Sequence, residues 1–186
     1  GRLSADMPAM GLSTWNLLVN SDSDYAYAPV QAGGNVHIYQ FTLSGEAAFK
    51  SLTEGDGAAA LLDITEGGVL FSQTIPNEPP EVWFANGDGV SQLTHINDDY
   101  LADIAMPETE HLLFDGVDGV QVEGWYMKPA IGEAPYPTIL YIHGGPHAAY
   151  GNGFHFDFQM LAGAGYGVLF VNHRASTGYG DSFSTA

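Results

Sequence analysis

The chain has 186 residues, with 22 Asp and Glu against 4 Lys and Arg, a formal charge of −18. So acidic a balance excludes an electrostatic binder of nucleic acid, which needs a basic face to displace counterions from phosphate. A hydrophobic content of 45% suffices for a packed core, no apolar run nears the ~20 residues that cross a bilayer, and the opening GRLSADMPAM lacks the charged-then-apolar order of a signal peptide.

The absence of Cys removes disulfides, thiolate metal sites and Cys nucleophiles, and leaves the compartment open because such a chain tolerates either redox state. Only Arg2, Lys50, Lys128 and Arg174 are basic, so most carboxylates are solvated and repel one another. That suits a saline habitat, where salt screens the repulsion, as well as an ordinary acidic protein.

From residue 12 to about 105 the pattern predicts short strands parted by turn clusters. Trp15 to Val19 runs into the polar stretch Ser21-Asp22-Ser23-Asp24, and Asn35 to Phe41 ends at Ser44-Gly45. A weak internal repeat then appears. His37-Ile38-Tyr39 followed by Ser51-Leu52-Thr53 returns as Glu81-Val82-Trp83 followed by Gln92-Leu93-Thr94. The spacing is that of a four-stranded propeller blade, about 40–45 residues, although a sandwich of similar hairpins fits the pattern too.

The pattern changes after Met106-Pro107. His111 to Phe114 and Val120 to Tyr126 flank Asp118-Gly119, which predicts a tight hairpin turn with positive φ. A Pro-rich loop over 129–137 leads into Thr138-Ile139-Leu140-Tyr141-Ile142, an apolar run expected to be a buried strand, as is Tyr166 to Val171. Between them Phe154, Phe158 and Leu161 fall on one face of a helix that Gly163 and Gly165 can end. Strand, helix and strand make a βαβ unit. Two blades cannot close a ring and one βαβ unit cannot cover a parallel sheet, so the sequence is expected to be a fragment spanning a domain junction near 105–110.

His143-Gly144-Gly145-Pro146-His147 follows the 138–142 strand directly. Ligands of α/β sheets gather at the carboxyl ends of strands, and an HGG-type loop can offer backbone N–H groups to an oxyanion. Glycine serves because, without Cβ, its amide approaches a tetrahedral intermediate closely. A Gly-Gly-Pro turn that only redirects the chain is the competing reading.

Tyr136 to His147, Gly165 to Val168, Asn172-His173-Arg174-Ala175-Ser176-Thr177-Gly178-Tyr179-Gly180 and Phe183 together resemble the start of the hydrolase domain in prolyl oligopeptidase-type serine peptidases, closest to the acylaminoacyl-peptidase and dipeptidyl-aminopeptidase group. Residues 65–98 resemble the last propeller blade of that family. The resemblance implies the end of a β-propeller over 1–106, about two blades, and the N-terminal part of an α/β-hydrolase domain over 107–186, both incomplete. It implies cleavage of short peptides by a Ser-Asp-His triad, with no cofactor, metal, nucleic acid or membrane partner and no indication of oligomeric state. Gly145 matches the glycine whose amide helps form the oxyanion hole, and Gly144 would support the turn. The triad is not among these residues: no Gly-x-Ser-x-Gly occurs, and the nucleophile follows this loop in such folds, so the chain alone is expected to be inert. One departure is Ala175, where the family usually has glycine.

Several features carry plainer readings. Gly180-Asp181-Ser182 resembles the block of another esterase class, but there it sits after the first strand. His143, His147, His155 and His173 lack the spacing of a zinc site. We read His143 as packing or hydrogen-bonding beneath the loop, and His147 as bordering the substrate pocket. Asp22-Ser23-Asp24 and Asn86-Gly87-Asp88-Gly89 are read as turns, and Trp15, Trp83 and Trp125 as core. Arg174, at the end of an apolar strand, is expected to be buried in a salt bridge near the active-site floor. Two alternatives remain at this stage: a carboxylesterase or lipase with the same loop, and a propeller-based binding module whose hydrolase domain has lost its triad.

Overall fold

The computed structural model describes residues 17–19, 24–145 and 147–185; Trp15, Asp22, Ser23 and Pro146 lie outside them. The first part consists of two successive four-stranded antiparallel meanders. One comprises β1 (Leu18–Val19), β2 (Tyr25–Ala32), β3 (Asn35–Thr42) and β4 (Phe49–Ser51), the other β5 (Ala58–Thr65), β6 (Gly68–Ile75), β7 (Glu78–Asn86) and β8 (Gly89–Gln92). A single parallel bridge, Val36 to Ala58, links them. Alternating side chains from both meet in one core of Ile38, Ala59, Leu61, Val69, Phe71 and Ala85, against which Trp83 packs half-buried.

The repeat seen in the sequence is a repeat of hydrogen bonds. Ile38 N donates to Thr53 Oγ1 at 3.1 Å and Leu52 N to Ile38 O at 2.8 Å. Likewise Val82 N donates to Thr94 Oγ1 at 2.8 Å and Leu93 N to Val82 O at 2.8 Å. The two copies differ in spacing because a longer loop joins β3 to β4, whereas only Gly87 and Asp88 join β7 to β8.

The expectation of pure β structure to residue 105 is corrected by α1 (Asp98–Leu101), a single turn. Its start is held by Glu81, whose Oε1 accepts from Asn97 N at 2.9 Å, and two acidic residues in its first turn suit the positive end of the helix dipole.

The second part is a four-stranded sheet in the order β11-β12-β10-β9, formed by β9 (Thr109–Asp115), β10 (Gln121–Met127), β11 (Thr138–Tyr141) and β12 (Gly167–Asn172). β9 and β10 form the expected hairpin, but its turn is a five-residue loop over 116–120 with a 3-10 turn at Val117–Gly119; Gly119 takes φ +70°. β11 and β12 run parallel, Thr138 opposite Gly167, with α2 (Phe156–Gly163) as their crossover. Phe154 precedes this helix rather than lying on it, and Gly165, at φ +93°, follows its end. α3 (Asp181–Ser184) closes the described chain.

Trp125, Met127, Phe158, Ala162, Val168 and Phe170 fill the core between sheet and α2, with Trp125 and Phe170 stacked at 5.4 Å. β11 is not the fully buried strand expected from its apolar run. Leu140 is 54% exposed, because α2 covers one sheet face and no described element covers Leu140 on the other. No helix among the described residues is long and apolar enough to cross a membrane.

The turn between β2 and β3 docks the meanders onto this second sheet. A Cβ at Gly34 would lie 2.3 Å from the Trp125 ring, so only glycine fits there. Gly33 N donates to Gly178 O at 2.9 Å, Asn152 N to Gly34 O at 2.8 Å, and Trp125 Nε1 to Asn152 Oδ1 at 2.8 Å. Farther along, Phe154 N donates to Thr74 Oγ1 at 3.1 Å.

Candidate active site

Parallel strands β11 and β12 end side by side, and each releases a loop from its carboxyl end. The first carries His143, Gly144, Gly145 and His147; the second runs from His173 to Gly180. Polar groups tie the two together. The Asn172 amide, wholly buried at the end of β12, clamps the Tyr150 peptide from both sides: its Oδ1 accepts from Tyr150 N at 2.7 Å and its Nδ2 donates to Tyr150 O at 2.9 Å. Thr177 N donates to Ala148 O at 3.0 Å.

Gly145 sits on the exposed side of the first loop at φ +146°, a conformation that favours glycine. A Cβ there would lie 2.8 Å from His147 N, so the position excludes a side chain on steric grounds as well. Its own N–H donates to no other described residue. Gly144 has no such restriction, since a Cβ on it would meet nothing within 4 Å. His147 is exposed in the same loop.

His143 lies half-buried beneath the loop. Its Nδ1 is 3.1 Å from Gly144 O, and its Nε2 is 2.8 Å from Ser176 Oγ. The ring stacks on His173 at 4.4 Å and meets the Tyr150 ring edge-on at 5.3 Å. Burial pushes the His143 imidazole below its usual range; the Gly144 carbonyl works against that shift, and neighbouring His173 adds to it. Burial, then the charges of Tyr141 and Asp157, push the Tyr150 hydroxyl up to about 12, so it stays protonated at neutral pH.

Ser176 is fully buried and Ser184 nearly so, with Ser184 Oγ donating to Ser176 O at 3.0 Å; Ser182 is exposed. Although Ser176 pairs with a histidine, it has no access to substrate, and that histidine's other nitrogen faces a carbonyl rather than a carboxylate. It is therefore not a nucleophile of the Ser-His-acid kind. Ala175 takes φ +75°, the left-handed conformation that the glycine of the similar motif would adopt without strain.

Arg174 is exposed rather than buried, because the chain turns outward after Asn172; its Nη2 donates to Val117 O at 3.2 Å in the β9–β10 loop. It lines a cavity of about 690 Å³ with His111, Glu123, Tyr179 and Ser182. There Glu123 accepts from Gly34 N at 3.0 Å and from the Tyr179 hydroxyl, and pairs with His111 Nε2 at 2.7 Å. Burial, and then the bond to Glu123, push the Tyr179 hydroxyl well above its ordinary value.

Sequence reasoning singled out Gly144, Gly145 and His147 and missed Asn172 and Ser176 as supports of their loop. A buried amide ending an apolar strand was the available signal for Asn172. The contact of Ser176 with His143 spans two loops and has no local signature.

No family model matches the sequence. The chain is 36% identical over 168 residues to the uncharacterized peptidase YuxL of Bacillus subtilis (strain 168), a match covering 89% of this chain and 26% of that protein. Its fold superposes on the acylaminoacyl peptidase of Pyrococcus horikoshii with a TM-score of 0.80 at 26% identity, over 91% of this chain and 26% of that one. An acylaminoacyl peptidase solved in complex with Z-Gly-Gly-Phe-chloromethyl ketone superposes with a TM-score of 0.79 at 25% identity, over the same shares. The chain thus spans about a quarter of the length of these relatives. Similar in sequence over 89% of its length and in fold over 91%, the chain belongs to the prolyl oligopeptidase-type peptidases.

Proposed function

We propose that this chain is the junction of a β-propeller, over 1–106, with the beginning of an α/β-hydrolase domain, over 107–186, in a serine-type peptidase that acts on short peptides by acyl transfer. The observation that carries the reading is Gly145. Its amide stands at the carboxyl end of a parallel strand, in a conformation and a space that only glycine fits, with an N–H that donates to no other described residue. Such a donor suits the oxygen of a tetrahedral intermediate, whose charge is larger than that of the substrate carbonyl. It therefore favours the transition state over the ground state. The peptide-like inhibitor bound to one structural neighbour supports a peptide as substrate. The four-stranded meanders have the build of propeller blades, which supports the first half of the reading.

In this scheme the Ser-Asp-His triad comes from the part of the full-length enzyme outside these residues, His147 borders the substrate, and residues 1–186 alone do not turn over. The experiment uses the full-length protein that carries this sequence. A fluorophosphonate probe is expected to label one serine outside residues 1–186, and aminoacyl-nitroanilides or short peptides to be hydrolysed. Labelling confined to Ser176, Ser182 or Ser184, or no turnover of any such substrate, contradicts the proposal.

A further inference from the structure

Glu123 and Asn172 stand opposite one another on the antiparallel strands β10 and β12, and the Tyr179 hydroxyl bridges their side chains. Asn172 Nδ2 donates to the Tyr179 oxygen at 2.5 Å, and the Tyr179 hydroxyl donates to Glu123 Oε2. At one end of this bridge the Asn172 amide grips the Tyr150 peptide, in the loop that carries Gly145. At the other end Glu123 Oε2 also accepts from Gly34 N at 3.0 Å, in the turn that docks the meanders. We propose that Tyr179 is a positioning residue for the peptidase reaction: its hydroxyl fixes the amide that holds Tyr150, and so ties the glycine loop to the carboxylate oxygen that receives the meander turn.

The direction of every bond in the bridge is forced by its neighbours. A peptide N–H only donates and a peptide carbonyl only accepts, so Tyr150 turns Asn172 Oδ1 toward its N–H and Nδ2 toward its carbonyl. Nδ2 carries two hydrogens and accepts nothing, so the second is received by the Tyr179 oxygen, whose own proton is left for Glu123. Burial, then the bond to Glu123, push the Tyr179 hydroxyl well above its ordinary value, which keeps that proton in place at neutral pH. Because Asn172 is wholly buried, removing the Tyr179 hydroxyl strands one of its amide hydrogens, and turning the amide over would set its oxygen against the Tyr150 carbonyl.

Other contacts bound the size of the effect. Thr177 N donates to Ala148 O at 3.0 Å, so the loop keeps one tie to its neighbour when the hydroxyl is lost. Glu123 keeps Gly34 N on one oxygen and His111 Nε2, at 2.7 Å, on the other. The Tyr179 ring packs against Phe183 at 4.9 Å, a contact that Tyr179→Phe leaves intact. That substitution therefore tests the hydroxyl alone.

The catalytic consequence rests on the peptidase reading, whereas the tie between loop and turn rests on the contacts alone, and two readouts in the full-length enzyme separate them. Tyr179→Phe is expected to lower kcat about 10-fold, short of the ~10²-fold that a 1 Å misplacement can cost, with KM little changed. Hydrogen exchange at the Tyr150 amide should quicken about 10-fold or more, as when a buried polar group loses its partner. The control, Tyr27→Phe, removes a hydroxyl that accepts from Gln40 Nε2 at 2.9 Å within the first meander, and should change neither readout. In the unmodified enzyme the Tyr150 and Gly34 amides should lose protection in parallel as denaturant is added, as members of one cooperative unit, a comparison that needs no variant to fold. Unchanged exchange at Tyr150, an unchanged kcat, equal effects of the two variants, or separate opening of the two amides overturns the inference. Faster exchange in a full-length protein with no peptidase turnover sinks the peptidase reading and the catalytic role of Tyr179 with it, and leaves the tie between loop and meanders in place.

Discussion

The Thr177 hydroxyl donates to Gln31 Oε1 at 2.9 Å, and neither side chain has any exposure to water. This bond crosses from the loop after β12 to β2, and Gly33 N to Gly178 O runs beside it at 2.9 Å. A buried amide oxygen that loses its donor keeps the whole cost of desolvation. Thr177→Val, which preserves shape, is therefore expected to destabilise the folded protein by about 1–3 kcal/mol in denaturant titrations. Hydrogen exchange at the Gly33 amide should quicken together with that of the 173–180 loop. A variant as stable as the parent would show that the contact contributes nothing to joining the two sheets.

Glu81 and His37 occupy equivalent places in the two meanders and give the fold an acid sensitivity of known sign. Thr94 Oγ1 accepts from Val82 N and donates to Glu81 Oε2; Thr53 Oγ1 accepts from Ile38 N and lies 3.1 Å from His37 Nδ1. Burial raises the Glu81 carboxyl, but bonds from the Thr94 side chain, the Asn97 and Ile96 amides and the Asn97 side chain together outweigh it and hold it below its usual range. Burial lowers the His37 imidazole more than Asp56 and Glu54 raise it, and burial likewise lowers His155. In each case the folded value lies below the unfolded one, so the unfolded chain binds the extra proton between the two. The stability is present above the unfolded value and is lost as pH falls through the folded one. Denaturation midpoints should thus drop on acidification through the histidine range and again through the carboxylate range. Glu81→Gln should flatten the second step and cost about 1–3 kcal/mol at neutral pH, since an amide cannot accept at both of its ends. Midpoints that rise on acidification would contradict this account.

Ala175 holds a left-handed backbone at φ +75°. An L-residue pays roughly 1–2 kcal/mol for that conformation, part of which glycine returns through its freer unfolded chain. Ala175→Gly is expected to raise stability by about 0.5–1 kcal/mol in thermal or denaturant unfolding. A loss of stability would mean that the Ala175 methyl makes contacts worth more than the strain.

The elements that carry their own periodicity were readable in advance. β11, α2 and β12 announce themselves by apolar runs and helical spacing, and the repeat around Ile38 and Val82 proved to be one hydrogen-bond pattern used twice. A Gly-Gly pair after an apolar run pointed to a backbone that needs glycine, and Gly145 takes such a conformation at φ +146°; its part in the reaction belongs to the proposal. The failures share a cause: they depend on neighbours distant in sequence. Leu140 reads as buried until the covering of each sheet face is known, and Arg174 reads as buried until the turn after Asn172 is seen.

The most direct measurement is the kcat of Gly145→Ala in the full-length enzyme, with circular dichroism to establish that it folds. Its control is Gly163→Ala, at the end of α2, where an added Cβ meets nothing within 4 Å. Because φ +146° and the 2.8 Å approach to His147 N both forbid a side chain at Gly145, the peptide must shift, and on the proposed reading this withdraws its N–H from the oxyanion. The account predicts a kcat lower by ~10²–10³, about 2.7–4 kcal/mol of transition-state stabilisation, with KM little changed and the control unaffected. A folded Gly145→Ala enzyme that keeps its kcat within about threefold would contradict it, since a donor to the oxyanion contributes far more than that.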